Sequence, residues 1–207
     1  MAAGRPGRVG VLISGRGSNL QALLSAAQQD RLGGEIVTVF SNVADAPGLE
    51  HARRAGVEAT VLDHRGRARE DYDRELLARL RERQLDLVCL AGFMRRLSPA
   101  FVAAFPARLL NVHPSLLPAF PGLEAQRQAL EHGARISGAT VHLVADAVDS
   151  GPILLQEAVE VHDDDSVESL SARILEVEHR LYPRAVRLLL EGRCRLEGRR
   201  VRITEAA

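Results

Sequence analysis

The sequence predicts an α/β protein, an open and mostly parallel twisted sheet with helices on both faces and a Rossmann-like N-terminal half. Three observations predict it. Short apolar runs alternate with segments of helical period from Val9 onward, and each parallel crossover needs a return of helix length. A glycine loop closes the first run and opens a helix. The 207 residues, 46% hydrophobic and 26% charged, suffice for one buried core.

Val9-Gly10-Val11-Leu12-Ile13-Ser14 reads as a strand, Gly15-Arg16-Gly17 as a tight loop, and Leu20, Leu23, Leu24 and Ala27 as one helix face. Glu35 to Ser41 is the next strand, a helix lies near Leu49 to Ala55, and Val57 to Leu62 is a strand again. Tyr72, Leu76 and Leu80 mark a helix ahead of the buried strand Asp86 to Ala91. After Ala107 the character changes, with Leu109-Leu110-Asn111-Val112-His113 running into a proline-rich loop, Pro114 to Pro121. Two strands follow, Gly138 to Val144 and Ile153 to Val161, joined through Asp149-Ser150-Gly151-Pro152. A long helix is expected to open at Asp165, where Asp165 and Glu168 have capping-box spacing, and to run on Val167, Leu170, Ile174, Val177 and Leu181. Pro183 should kink or restart it. Arg193 to Ile203 reads as a hairpin about Glu197-Gly198. The expectation is a single domain over residues 8–207, with halves of about 8–107 and 108–207.

Composition narrows the chemistry. The formal net charge is zero with acids and bases interspersed, so neither a nucleic-acid partner nor a membrane surface is expected. No apolar run of spanning length occurs, and the N-terminal stretch lacks the apolar core of an export signal, which makes the cytoplasm the expected location. Cys89 and Cys194 have neither disulfide-framework nor zinc spacing, and Cys89 sits in an apolar run as a core residue. All 27 basic residues are Arg. Without lysine the chain cannot form a Schiff base with a carbonyl substrate or pyridoxal phosphate, and it cannot supply the lysine of a phosphate-binding ATPase loop.

Several constellations could carry chemistry. Gly15-Arg16-Gly17-Ser18-Asn19 stands at a helix N-terminus, where free N–H groups and the helix dipole favour an anion. The third glycine of a dinucleotide fingerprint is missing, so a phosphate monoester on a sugar fits better than NAD or ATP. The plain alternative is a tight turn with Ser18 as helix cap. Asn111 and His113, two apart on a strand, project from one face at the end where open α/β sheets bind ligands. An amide donor beside an imidazole suits oxyanion stabilisation and proton transfer, and a hydrogen-bonded strand end is the alternative.

Asp149 is either a turn residue or a carboxylate able to hold His113 charged. Glu178 interrupts an apolar helix face, which calls for a donor nearby or an escape to water. His51, His64, His132, His142, His162 and His179 form no metal-type spacing and read mostly as surface residues. His142 belongs either to the site or to the core. The Arg65 to Arg69 cluster is either a solvated loop or an attractor for a polyanionic ligand tail.

Five collinear stretches carry a resemblance that spans about Arg8 to Gly192. They are Val11 to Ala22 around Gly15-Arg16-Gly17-Ser18-Asn19, Val39-Phe40-Ser41-Asn42, Leu90-Ala91-Gly92-Phe93-Met94-Arg95, Asn111 to Pro118, and Asp149-Ser150-Gly151-Pro152. Together they resemble the folate-dependent phosphoribosylglycinamide formyltransferase family. The resemblance implies that Asn111, His113 and Asp149 are the catalytic trio. It implies that Gly15, Arg16, Gly17, Ser18, Asn19 and Glu178 bind the ribonucleotide. Arg69, Met94, Arg95, Arg96, Leu97, Asn111, Asp146 and Asp149 then line the folate cleft. The implied reaction moves the formyl group of 10-formyltetrahydrofolate, the co-substrate, to the amine of glycinamide ribonucleotide in purine biosynthesis, without a metal.

Two positions depart from the family pattern. Glu124 stands where many members carry histidine, and Arg96 where an apolar residue is usual. Formyltetrahydrofolate hydrolases and transferases acting on other amines share the Asn-x-His and Asp-x-Gly core. Their extra domains have no expected counterpart here, neither a regulatory segment before Val9 nor a basic C-terminal domain.

Overall fold

The computed structural model describes residues 5–204. Along the chain lie β1 (Gly7–Ile13), α1 (Ser18–Gln28), β2 (Gly34–Ser41), α2 (Gly48–Arg54), β3 (Glu58–Val61), α3 (Arg69–Glu82), β4 (Leu87–Leu90) and α4 (Pro99–Ala104). There follow β5 (Leu109–His113), α5 (Ala125–Glu131), β6 (Ile136–Leu143), β7 (Ile153–Glu160), α6 (Val167–Leu190), β8 (Cys194–Glu197) and β9 (Arg200–Ile203). One sheet takes them all in the order β3-β2-β1-β4-β5-β6-β7-β9-β8. The strands from β3 to β5 pair in parallel, whereas β6 is antiparallel to both β5 and β7. Order reverses between β1 and β4, the kind of point at which open α/β sheets form a ligand crevice.

Strand periodicity sorts the core onto two faces. Val9, Val11, Ile13, Leu87, Cys89, Leu110 and Val112 point into one cluster with α1, α2 and α6, through Leu20, Leu23, Leu49, Ile174 and Tyr182. Leu12, Val88, Leu90 and Leu109 point the other way, onto Tyr72, Leu76 and Leu80 of α3 and Phe101 of α4. Cys89, on the α1 and α6 side, is fully buried as a packing residue. Tyr182 Oη lies 2.9 Å from Leu90 O and 3.0 Å from Leu110 O, so its one proton bridges the ends of β4 and β5.

Three local expectations are corrected. The capping box of α6 is Ser166 with Ser169, each hydroxyl accepting from the other's backbone N–H, rather than Asp165 with Glu168. Asp165 instead accepts from Ser169 Oγ at 2.6 Å and pairs with Arg173. The helix does not restart at Pro183 but runs to Leu190, because Tyr182, Ala185 and Val186 are fully buried on either side of the proline and packing outweighs one lost hydrogen bond. Ser18 is the first helical residue of α1; the cap position is Gly17 at φ 74°, with no side-chain cap bond. Two short helices, α4 and α5, carry too few turns to show a period in sequence.

Candidate active site

The loop after β1 is set by close backbone approach. A Cβ on Gly17 would lie 2.7 Å from Gly48 Cα, and Gly48 N donates to Gly15 O at 3.0 Å, so the start of α2 braces the loop. The first free N–H groups of α1 lie just past Gly17, as an anion-binding loop requires. Arg16 is exposed beside them.

From α6, Glu178 reaches the same place. Its Oε2 accepts from Asn19 Nδ2 at 2.8 Å, and it is 5% exposed. Asn19 therefore supplies the donor that the carboxylate's position on an apolar face demanded, while Asn19 Oδ1 is buried without a partner. Burial pushes Glu178 from its ordinary 4.5 up to about 7, against the opposing hydrogen bond from Asn19. The folded state thus favours the protonated acid. That stabilisation is complete below about 4.5 and is lost as pH rises through about 7. Glu178→Gln should therefore gain stability relative to the parent between pH 5 and pH 8, by up to about 3 kcal/mol. Thermal unfolding of both proteins at the two pH values checks this; parallel curves would contradict it.

Of the expected trio, His113 and Asp149 meet at the C-terminal end of β5, and Asn111 lies two residues before His113 on the same strand. His113 Nδ1 lies 3.3 Å from Asp149 Oδ2, and its Nε2 lies 2.8 Å from Phe120 O. Both ring nitrogens face acceptors, and the doubly protonated ring donates to both at once. Asp149 Oδ2 also accepts from Gly122 N at 2.8 Å, and Oδ1 lies 3.6 Å from His142 Nε2. Burial raises the Asp149 pKa, but His142, the Gly122 N–H and His113 together pull it below the usual carboxylate range. Asp149 sits at φ 50° and Phe120 at φ 52°, the second being a costly conformation for an aromatic residue.

His142 is the member that sequence reasoning left undecided. It stands opposite Asn111 across the β5–β6 pairing, and its Nε2 lies 3.2 Å from Asn111 Nδ2. Its Nδ1 donates to Leu143 O at 3.0 Å, so in the neutral ring Nε2 accepts one amide proton of Asn111 and leaves the other free. Phe120 and Gly122, which hold His113 and Asp149 through their backbone, were also missed; main-chain contacts leave no side-chain signature. The reading of the other histidines as surface residues is corrected: His132 and His162 are exposed, but His51, His64 and His179 are half-buried and His142 is buried.

The remaining expected residues fall in separate places. Met94 is 70% exposed, and its backbone N–H donates to Ser14 Oγ at 2.7 Å, which ties this segment to the end of β1. Arg95 lies over the Tyr72 ring, 4.5 Å from its centroid. Arg69, the first residue of α3, pairs with Glu70, whose carboxyl is held below its ordinary range by its own backbone N–H, then Arg69, with Arg95 adding to the effect. Arg96 and Asp146 are exposed, whereas the Leu97 side chain is buried against the α3 and α4 core and offers a cleft only its backbone. In the Arg65 to Arg69 loop each arginine has a carboxylate partner, Asp63, Glu75 or Glu70. Glu124 is exposed at φ 55° ahead of α5 and pairs with Arg127 at 3.5 Å. Among the described residues no group of three or more His, Cys, Asp or Glu is placed to hold a metal, and no helix is long and apolar enough to cross a membrane.

An open α/β sheet with a glycine loop after β1, and with Asn111, His113 and Asp149 gathered at the β5 end of the crevice, is the frame into which the comparisons fit. The formyl transferase family model matches residues 7–186, and the chain belongs to that family. It is 48% identical to the phosphoribosylglycinamide formyltransferase of Escherichia coli over 187 residues, 90% of this chain and 88% of that protein. It is likewise 48% identical to the trifunctional purine biosynthetic protein adenosine-3 of Drosophila melanogaster, over 93% of this chain and 14% of that much longer protein. Among solved structures, glycinamide ribonucleotide transformylase 1 from Symbiobacterium toebii superposes with a TM-score of 0.95 at 56% identity, covering 98% of this chain and 96% of the other.

Proposed function

We propose that this chain transfers the formyl group of 10-formyltetrahydrofolate to the amine of glycinamide ribonucleotide, giving formylglycinamide ribonucleotide in purine biosynthesis. The observation that carries the mechanism is the carboxylate of Asp149 set against His113, with the amide of Asn111 turned by His142 on the same face.

In this reading the ribonucleotide phosphate sits on the Gly15 to Asn19 loop, with Arg16 near its charge. The ribose hydroxyls meet Glu178 and the unpartnered Asn19 Oδ1. The folate lies along Met94 to Leu97, with the Asp146 to Asp149 loop about its pterin and Arg69, Arg95 and Arg96 towards its acidic tail. The neutral amine attacks the formyl carbon and a tetrahedral oxyanion forms. His113 exchanges its Nε2 bond to Phe120 O for that oxygen, and the free amide proton of Asn111 adds a second donor. Asp149 keeps the imidazolium oriented and balances its charge. The carbon–nitrogen bond to the folate then breaks. The amine loses one proton and the departing folate nitrogen gains one, through His113 or a water beside it. The same reading carries with it a cytoplasmic setting and no nucleic-acid partner.

Steady-state assay of the purified protein with 10-formyltetrahydrofolate, with and without glycinamide ribonucleotide, tests this function. Deformylation only in the presence of the ribonucleotide is the expected result. Equal turnover with water alone would make the chain a hydrolase, and none with either would sink the reading.

A further inference from the structure

A groove of about 640 Å³ runs between α1 and α6, and of its lining residues only Ser18 belongs to the loop proposed above to hold the ribonucleotide phosphate. It begins at Ser18, where the anion loop ends, and finishes at Arg31 and Arg187. The Asn19 to Glu178 bond marks one end of this helix pair and the packing of Arg187 on Gly33 the other. The α1 wall is small and neutral, Ala22 and Ser25 among its residues, whereas α6 contributes His179, Arg180, Arg184 and Arg187.

The three arginines of α6 are spaced i, i+4 and i+7, so they form one stripe about 10 Å long. Like charges at that spacing weaken a helix unless an anion offsets them. The resident acids do so only in part. Arg180 pairs with Glu157 and Arg187 with Glu191, both at the exposed rim, where such pairs are weak and exchangeable. Arg184 has no hydrogen bond or ion pair among the described residues, and Arg31 bonds the neutral Gln29 at 2.9 Å. His179 Nε2 is buried without a partner. Burial holds that ring below the ordinary histidine range against the pull of Glu176, so it enters as a neutral hydrogen-bonding group. In a chain of zero net charge, this is a local concentration of cations that the described acids match only in part.

We propose that the groove is a second anion site, distinct from the Gly15 to Asn19 loop, which takes a small molecule bearing linked phosphoryl groups, such as the polyphosphate chain of a nucleotide. The volume is that of a small-molecule site. Guanidinium forks bind phosphoryl oxygens in pairs, and a row of them along one helix matches a row of phosphates better than a single one.

Calorimetric titration of the full chain with inorganic tripolyphosphate tests the site, alongside a variant carrying Arg31→Glu and Arg184→Glu. Neither residue belongs to the formyl-transfer machinery, so turnover and unfolding temperature should stay at parental values. The parent should bind tripolyphosphate with an affinity that falls as salt rises, at least tenfold more tightly than inorganic phosphate, and the variant should lose at least tenfold. Equal affinity in the two proteins would place the binding elsewhere and overturn the proposal. So would an absence of binding at low millimolar tripolyphosphate, or tighter binding of an acidic peptide than of tripolyphosphate. The readout is binding alone, so failure of the formyl-transfer reading would register in the turnover assay and not here.

Discussion

Asp149→Asn is expected to lower kcat about 100-fold or more while the Kd for the ribonucleotide stays within about threefold. The asparagine side chain fits the same space but carries no charge, so the His113 ring loses the carboxylate 3.3 Å away that would balance a charge on it. Its remaining oxygen can stay towards the His113 ring and the Gly122 N–H with the NH₂ group turned to His142 Nε2, so the substitution removes charge rather than shape. The proposed ribonucleotide contacts lie elsewhere, at the end of β1 and on α6, so substrate binding and turnover should separate. Steady-state kinetics with calorimetric ribonucleotide binding reads both quantities. A variant with near-parental kcat would remove Asp149 from the chemistry.

Gly151→Ala should cost as much through position alone. A Cβ on Gly151 would lie 1.7 Å from Leu143 O and 2.8 Å from Leu143 C, both backbone atoms at the end of β6. No side chain can move aside to admit it, so the β6–β7 connection must shift, and Asp149 is two residues away on that connection. A displacement near 1 Å at a positioned catalytic group costs about 100-fold in rate, and overpacking at this point costs about 1–3 kcal/mol of stability. The variant should therefore fold with a lowered unfolding temperature and a kcat reduced about as far as in Asp149→Asn. Parental kcat would show that the loop tolerates the methyl group without moving Asp149.

The sheet was legible because its strands are short apolar runs separated by helical periods, and Val9 to Ser14, Asp86 to Ala91 and Leu109 to His113 fell close to their observed places. Asn111 and His113 were expected on one face, and the strand period alone delivers that. Their meeting with Asp149, 36 residues beyond His113, had no spacing argument and rested on the family resemblance. The glutamate on the apolar face of α6 called for a donor or an escape to water, and only the fold decides for the donor and identifies it as Asn19, 159 residues away. His142 was ambiguous because a buried strand histidine looks the same in sequence whether it fills the core or turns an amide. The capping box of α6 was misplaced by one residue because Asp165 and Ser166 both suit a cap, and only the backbone shows which of them enters the helix.

If Asp149 acts through His113, the two substitutions should not add. A double-mutant cycle of Asp149→Asn and His113→Ala, read as kcat for ribonucleotide-dependent formyl transfer, tests that most directly. The double variant is expected to be no more than about threefold slower than the slower single variant, because a carboxylate has nothing left to hold once the imidazole is gone. Losses that multiply would show two groups working independently and would contradict the pairing on which the mechanism rests.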